Sequence, residues 1–121
     1  MLTLAVAAAA GVGAVVRYVI DQLVQHRTRG DFPYGTLLIN LTGSLLLGLI
    51  TGLVLHHGFP ATPAIIMGTG FAGGYTTLST WAWEVLALAE TGDLLEAALN
   101  VAASFAMGLG AAAAGLGLAL A

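Results

Sequence analysis

The middle of the chain contains the sequence GTGFAGGYTTLSTW, residues 68–81, inside a run without any charged residue from 32 to 83. One helical crossing of a bilayer needs about 20 apolar residues, so this run is long enough for two crossings. Two prolines and a glycine within residues 58–63 predict the turn between them. In the second crossing, paired glycines followed by hydroxyl and β-branched side chains predict an interruption of the helix. A membrane tolerates such an interruption only where the freed backbone is buried in protein or lines a cavity.

The composition supports a membrane protein. Only 7% of the 121 residues are charged, 3 basic and 6 acidic, whereas 59% are hydrophobic. A soluble domain carries about 25% charged residues, and a small fold needs them to stay in solution. The composition also excludes a disordered chain, a nucleic-acid-binding protein and, without cysteine, a disulfide scaffold. We predict an all-α, multi-pass protein of the cell (inner) membrane, one domain over residues 1–121 with helices at 2–24, 34–55, 64–89 and 94–120.

Uncharged polar residues recur at helical spacing in three of these helices. Residues four apart share one face of a helix, and polar groups in hydrocarbon must face protein or water. One such stripe is typical of hydrogen bonding between helices, but three aligned stripes favour a polar pathway. The stripes are Thr36, Asn40 and Ser44, then Thr76, Thr80 and Glu84, then Asn100 and Ser104.

Apart from Glu96, which lies beside a loop, the predicted helices contain three charged side chains. Arg17 needs a partner or a wet cavity; it has Asp21 one turn away, and it can also snorkel to the interface or serve an anion vestibule. Glu84 fits a residue at a helix end near the interface, or a proton-linked carboxylate of a transporter. No nucleophile–base pair or metal cluster is visible, so we expect no enzyme.

Small residues repeat every four positions in the second helix (Ser44, Gly48 and Gly52) and in the third (Gly70 and Gly74). Such repeats let membrane helices approach closely. These repeats predict either tight packing within one chain or self-association. Because four short helices enclose little volume, we expect a second subunit. The only basic loop residues are Arg27 and Arg29, and this weak bias permits either orientation in the membrane, or both.

At these residues the chain resembles the Fluc (CrcB) family of small fluoride channels. The first two segments that carry the resemblance are Gly11-x-Gly13-Ala14-x-x-Arg17-Tyr18 and Phe32-Pro33-x-Gly35-Thr36-Leu37-x-x-Asn40-x-x-Gly43-Ser44. The most specific is Gly70-Phe71-x-Gly73-Gly74-x-Thr76-Thr77-x-Ser79-Thr80, followed by Glu84.

The resemblance implies an antiparallel, dual-topology dimer with two fluoride pores and a structural sodium ion on the dimer axis. By similarity, the backbone carbonyls of Gly73 and Thr76 hold the sodium ion. Arg17 corresponds to the vestibule arginine and Glu84 to the acidic residue at the pore mouth. The fluoride pathway that the resemblance and the stripes imply comprises Thr36, Asn40, Leu78, Thr80, Trp81, Asn100 and Ser104.

One departure from the family pattern alters this pathway. Leu78 and Trp81 stand where the family has two phenylalanines, whose electropositive ring edges line the pore. Leucine offers no ring edge, whereas tryptophan offers an edge and an indole N–H. The subunit then forms either a modified homodimer or half of a heterodimer whose partner, a paralogue, supplies the missing ring.

The sequence predicts a passive channel that exports fluoride from the cytoplasm and relieves fluoride toxicity. Hydroxyl and amide donors without fixed charge suit a strongly hydrated anion that must also be released. Two alternatives are a small multidrug-type, proton-coupled exporter and a non-conducting membrane subunit. The exporter needs a carboxylate embedded in the membrane, usually in the first helix. The only acidic residue of that helix is Asp21, near its end.

Overall fold

The computed structural model describes residues 1–121 and contains only helices and loops. Helix α1 covers Leu2–Arg27 and α2 covers Tyr34–His57. The third crossing has two halves, which we call α3 (residues 61–75) and α4 (Ser79–Glu90). Helix α5, Leu94–Leu120, completes the chain. Helices α1, α2 and α5 are each long and apolar enough to cross a membrane, so the predicted all-helical membrane architecture with an interrupted third helix is confirmed.

The interruption lies one turn beyond the paired glycines. Helix α3 begins as an α-helix at Ala61–Ile65, widens into a π-helix over Ile66–Ala72 and ends as an α-helical turn at Gly73–Tyr75. The backbone turns extended at Thr76, and α4 begins at Ser79. The π-helical stretch lies within the glycine-rich segment, in keeping with the occurrence of such bulges at functional sites.

The glycines of α3 serve close packing against α1. A Cβ atom on Gly74 would overlap the backbone carbonyl of Ala10, and one on Gly13 would overlap that of Phe71. Glycine therefore stands here because two parallel backbones touch, and not because the chain must turn.

The small-residue repeat of α2 packs in the same way against the parallel helix α5. A Cβ atom on Gly48 would overlap the carbonyl of Ala112, and one on Gly115 would overlap that of Leu45. Both repeats are used inside the chain, which supports the first of the two interpretations given to them. Self-association needs a different surface.

Few residues are buried, and the surface is apolar. Only 16 of 121 residues are buried, while large apolar side chains are exposed along every long helix. Such a surface is suited to lipid and not to water. The only two buried polar residues are Thr36 and Asn100, and both belong to the predicted pathway.

Candidate functional site

Asn40 joins the interrupted helix to α2. Its amide Nδ2 donates to the Thr77 carbonyl at 2.8 Å, and its Oδ1 accepts the Thr77 backbone N–H at 2.9 Å. The side-chain amide thus satisfies both backbone groups of a residue that lies outside any helix, as a buried backbone requires. One of the two Nδ2 hydrogens remains free for another acceptor.

The Thr77 side chain also bonds to the first turn of the helix that follows. Its hydroxyl oxygen accepts the backbone N–H of Thr80 at 3.2 Å and donates to the Thr80 hydroxyl at 3.0 Å. This satisfies one of the N–H groups that a helix start leaves without a partner. The start of α4 carries the partial positive charge of a helix N-terminus, and it lies in the middle of the third crossing.

The same interruption frees two carbonyl oxygens. In a continuous helix the N–H of Thr77 would donate to Gly73 and that of Thr80 to Thr76. Instead, these donors bond to Asn40 and to the Thr77 hydroxyl. The carbonyls of Gly73 and Thr76 thereby lose their helical donors, and backbone carbonyl oxygens are the ligands that channel proteins offer to monovalent cations.

Arg17 reaches the interruption from α1. Its Nη1 donates to the Thr76 carbonyl at 3.5 Å, a long hydrogen bond. The alternative of a pair with Asp21 is not observed. The carboxylate of Asp21 instead accepts from Gln25 at 3.4 Å and lies against Gly35 at the start of α2, where the helix dipole favours a negative charge.

A pocket of about 150 Å³ opens beside the interruption. It brings together four residues of the predicted pathway and adds two others, a threonine and a phenylalanine. Polar spacing selects neither, because Thr77 lies outside the stripe of Thr76, Thr80 and Glu84 and Phe105 is apolar. The lining residues are Asn40, Leu78, Trp81 and Ser104, with Thr77 and Phe105.

A chain of three side chains leads from this pocket into the interior. The Trp81 indole N–H donates to the Ser104 hydroxyl at 2.9 Å, which in turn donates to Asn100 Oδ1 at 3.1 Å. Indole can only donate, so the serine proton is left for the amide oxygen. The Asn100 side chain is fully buried, and its Nδ2 has no partner.

Thr36 and Glu84 form a second polar contact one turn away from the interruption. The Thr36 hydroxyl donates to Glu84 Oε1 at 2.9 Å, and Glu84 Oε2 is buried without a partner. Glu84 also lines a cavity of about 300 Å³ together with Asp31 and Thr91, residues of the two loops at this end of the molecule. The carboxyl group therefore lies between a cavity at the loops and the polar residues of the interior.

The structure brings together some, but not all, of the residues that the sequence predicts for the pathway. Asn40, Leu78, Trp81 and Ser104 share one pocket, and Asn100 is joined to it through Ser104. Thr36 contacts Glu84, whereas Thr80 is exposed and bonds only to Thr77. Taken together, the site offers uncharged donors, one helix N-terminus and two carbonyls without helical partners.

Known proteins are similar to this chain over nearly its whole length. A family model described as CrcB-like protein, Camphor Resistance (CrcB), matches residues 4–116. The chain is 47% identical over 118 residues to the fluoride-specific ion channel FluC 1 of Leifsonia xyli subsp. xyli, covering 98% of this chain and 86% of that protein.

Two further relatives have the same kind of name. Identity is 49% over 113 residues to the fluoride-specific ion channel FluC 1 of Streptomyces avermitilis, covering 93% and 91% of the two chains. It is 44% over 102 residues to the fluoride-specific ion channel FluC 2 of Mycobacterium tuberculosis, covering 84% and 78%. The resemblance seen in the sequence is therefore confirmed, and this chain belongs to the CrcB family.

Proposed function

We propose that this chain is a passive, fluoride-selective ion channel that exports fluoride from the cytoplasm and relieves fluoride toxicity. The observation that carries the proposal is the pocket at the interrupted third helix, where the start of α4 lies beside Asn40 and its one unused amide hydrogen. The names of the relatives support the same substrate.

The donor set suits a small and strongly hydrated anion. Fluoride gives up water only if hydrogen-bond donors replace it, and Asn40 has one amide hydrogen that the backbone of Thr77 does not use. The start of α4 adds partial positive charge without a side chain. None of these groups carries a full positive charge, so an anion bound here is also released, as conduction requires.

The polar residues extend from the loop cavity to this pocket. Glu84 lines the cavity and accepts a hydrogen bond from Thr36, and Asn100, Ser104 and Trp81 form a separate hydrogen-bonded chain that ends in the pocket. Along this line we place the fluoride pathway, with Thr36, Asn40, Leu78, Thr80, Trp81, Asn100 and Ser104 as its residues and Glu84 at its mouth.

The proposal includes a structural sodium ion, held by the carbonyls of Gly73 and Thr76. Their loss of helical donors fits them for a cation. When bound, sodium would supply a fixed positive charge near the pathway. Arg17 donates a long hydrogen bond to the same Thr76 carbonyl, so in this proposal the vestibule arginine and the sodium ion are neighbours.

A second subunit completes the proposed channel. Leu78 is 75% exposed and Phe105 62% exposed, so the pocket is open on one side within a single chain. We propose an antiparallel, dual-topology dimer in the inner membrane, formed with a second copy or with a paralogue. The weak basic bias of the loops allows insertion in both directions.

The deciding experiment is fluoride efflux from liposomes that contain the purified protein, followed with a fluoride electrode. We expect fluoride to leave with protein present and chloride to remain, without any dependence on a proton gradient. Co-reconstitution with a paralogue distinguishes a heterodimer from a homodimer. If folded protein passes no fluoride alone or with such a partner, the proposed function is wrong.

A further inference from the structure

The pocket contains an aromatic ring that does not come from the interrupted helix. The family pattern places a phenylalanine at the position of Leu78, and leucine has no ring. Phe105, on α5, lines the same pocket as Leu78 and Trp81. It is the residue that follows Ser104, and no polar pattern draws attention to it.

Phe105 packs against Trp81, whose own position is held by a hydrogen bond. Its ring packs against Trp81 with the ring centroids 6.0 Å apart and the planes at 82°, an edge-to-face arrangement that aromatic pairs prefer. Trp81 is held in turn by its hydrogen bond to Ser104 at 2.9 Å. The indole thus has two contacts on α5, one polar and one aromatic.

The electrostatics of an aromatic ring give Phe105 a role in this pocket. The rim of the ring is partially positive and its face partially negative, so a rim directed into a pocket attracts an anion without holding it by a full charge. More than half of Phe105 is exposed, and it lines the same pocket as Asn40, whose amide keeps one hydrogen that Thr77 does not use.

We propose that Phe105 is a pathway-lining residue that supplies, from α5, the ring edge that Leu78 cannot supply, with Trp81 as its positioning residue. This inference rests on the proposed fluoride conduction. It assigns one ring of the pathway to a helix different from the one that the family pattern indicates, and it requires no ring from the partner subunit at this position.

The test moves the ring within the pocket. In Phe105→Leu, we expect fluoride efflux from proteoliposomes to fall about fivefold, which corresponds to about 1 kcal/mol at about 1.4 kcal/mol per factor of ten. The double variant Phe105→Leu with Leu78→Phe returns a ring to the pocket and recovers most of the flux. Phe59→Leu, in the loop between α2 and α3, is the matched control and conducts normally.

The outcomes separate this inference from the proposed function. Phe105→Met, which keeps an apolar side chain without a ring, must lose flux like Phe105→Leu; this second variant covers a failure of the first to fold. Normal flux in a folded Phe105→Leu or Phe105→Met overturns the inference alone, as does a double variant that does not recover. Wild-type protein that passes no fluoride overturns the proposed function, and this inference falls with it.

Discussion

Replacing Asn40 by aspartate tests whether the interrupted helix depends on one side-chain amide. Asn40 makes two hydrogen bonds to the backbone of Thr77, at 2.8 and 2.9 Å. Aspartate keeps an oxygen that accepts the N–H, but it has no N–H to donate to the carbonyl. One hydrogen bond is lost, and two oxygen atoms are left facing each other.

The magnitude follows from these contacts. The lost bond costs about 1 kcal/mol and the partly buried, unpaired carbonyl about 1–3 kcal/mol more. If this cost raises the free-energy barrier to conduction by about 2–4 kcal/mol, fluoride flux falls by at least about 30-fold, at about 1.4 kcal/mol per factor of ten. The new negative charge in the pocket repels fluoride and lowers the flux further.

The assay is initial fluoride efflux from proteoliposomes, normalised to folded protein measured by gel filtration in detergent. Thr51→Ala is the matched control on α2, because its hydroxyl bonds only to the carbonyl one turn before it, at 2.8 Å, and it should conduct normally. An Asn40→Asp protein that is folded and conducts within a factor of about two of the wild type, less than about 0.5 kcal/mol, would refute the reasoning.

Three other substitutions test separate parts of the structure. Gly74→Ala should lower thermal stability in detergent by about 1–3 kcal/mol by overpacking against α1, whereas Gly73→Ala should not, since a Cβ there finds no atom nearer than 3.9 Å; equal stabilities would show that the two helices do not touch at this point. Thr36→Val leaves a carboxyl group without its donor at 2.9 Å and should cost about 1.5–3 kcal/mol, while Thr36→Ser keeps the donor and should cost only about 0.8 kcal/mol for the lost buried methyl group; unchanged stability of the valine variant would contradict the contact. Asn100→Ala should abolish most fluoride efflux while changing stability less than Ile39→Ala, a truncation of the other fully buried large side chain that costs about 2–5 kcal/mol; normal efflux would remove Asn100 from the pathway.

The interruption of the third helix could be predicted from the sequence, but its position could not. Paired glycines signal a weak point in a helix, yet Gly74 remains helical because its missing side chain is needed for contact with Ala10. The helix ends where Asn40 captures the backbone of Thr77. That capture depends on how α2 packs against the third crossing, which no local pattern encodes.

Among the residues proposed for the pathway, the sequence also predicts some, whereas helix packing decides others. Spacing of four residues correctly selects Asn100 and Ser104 as bonded neighbours on one helix face. Spacing cannot select Phe105, since an apolar residue in an apolar helix carries no signal. Its place in the pocket follows from the pairing of α4 with α5, which the bond between Trp81 and Ser104 holds in register.

The register of α4 against α5 also bears on two polar atoms of the interior that have no hydrogen-bond partner. Glu84 lies three residues after Trp81 on α4, and Asn100 lies four residues before Ser104 on the antiparallel helix α5, so the two side chains reach the same level. Glu84 Oε2 and Asn100 Nδ2 are both buried without a partner, at a cost of about 1–3 kcal/mol for each. A fold selected for stability alone would pair these groups or replace them with apolar ones. In the proposed pathway, the free amide hydrogen of Asn100 would serve an anion or water that passes between the helices, so the same unpaired donor that weakens the fold would lower the cost of dehydrating fluoride.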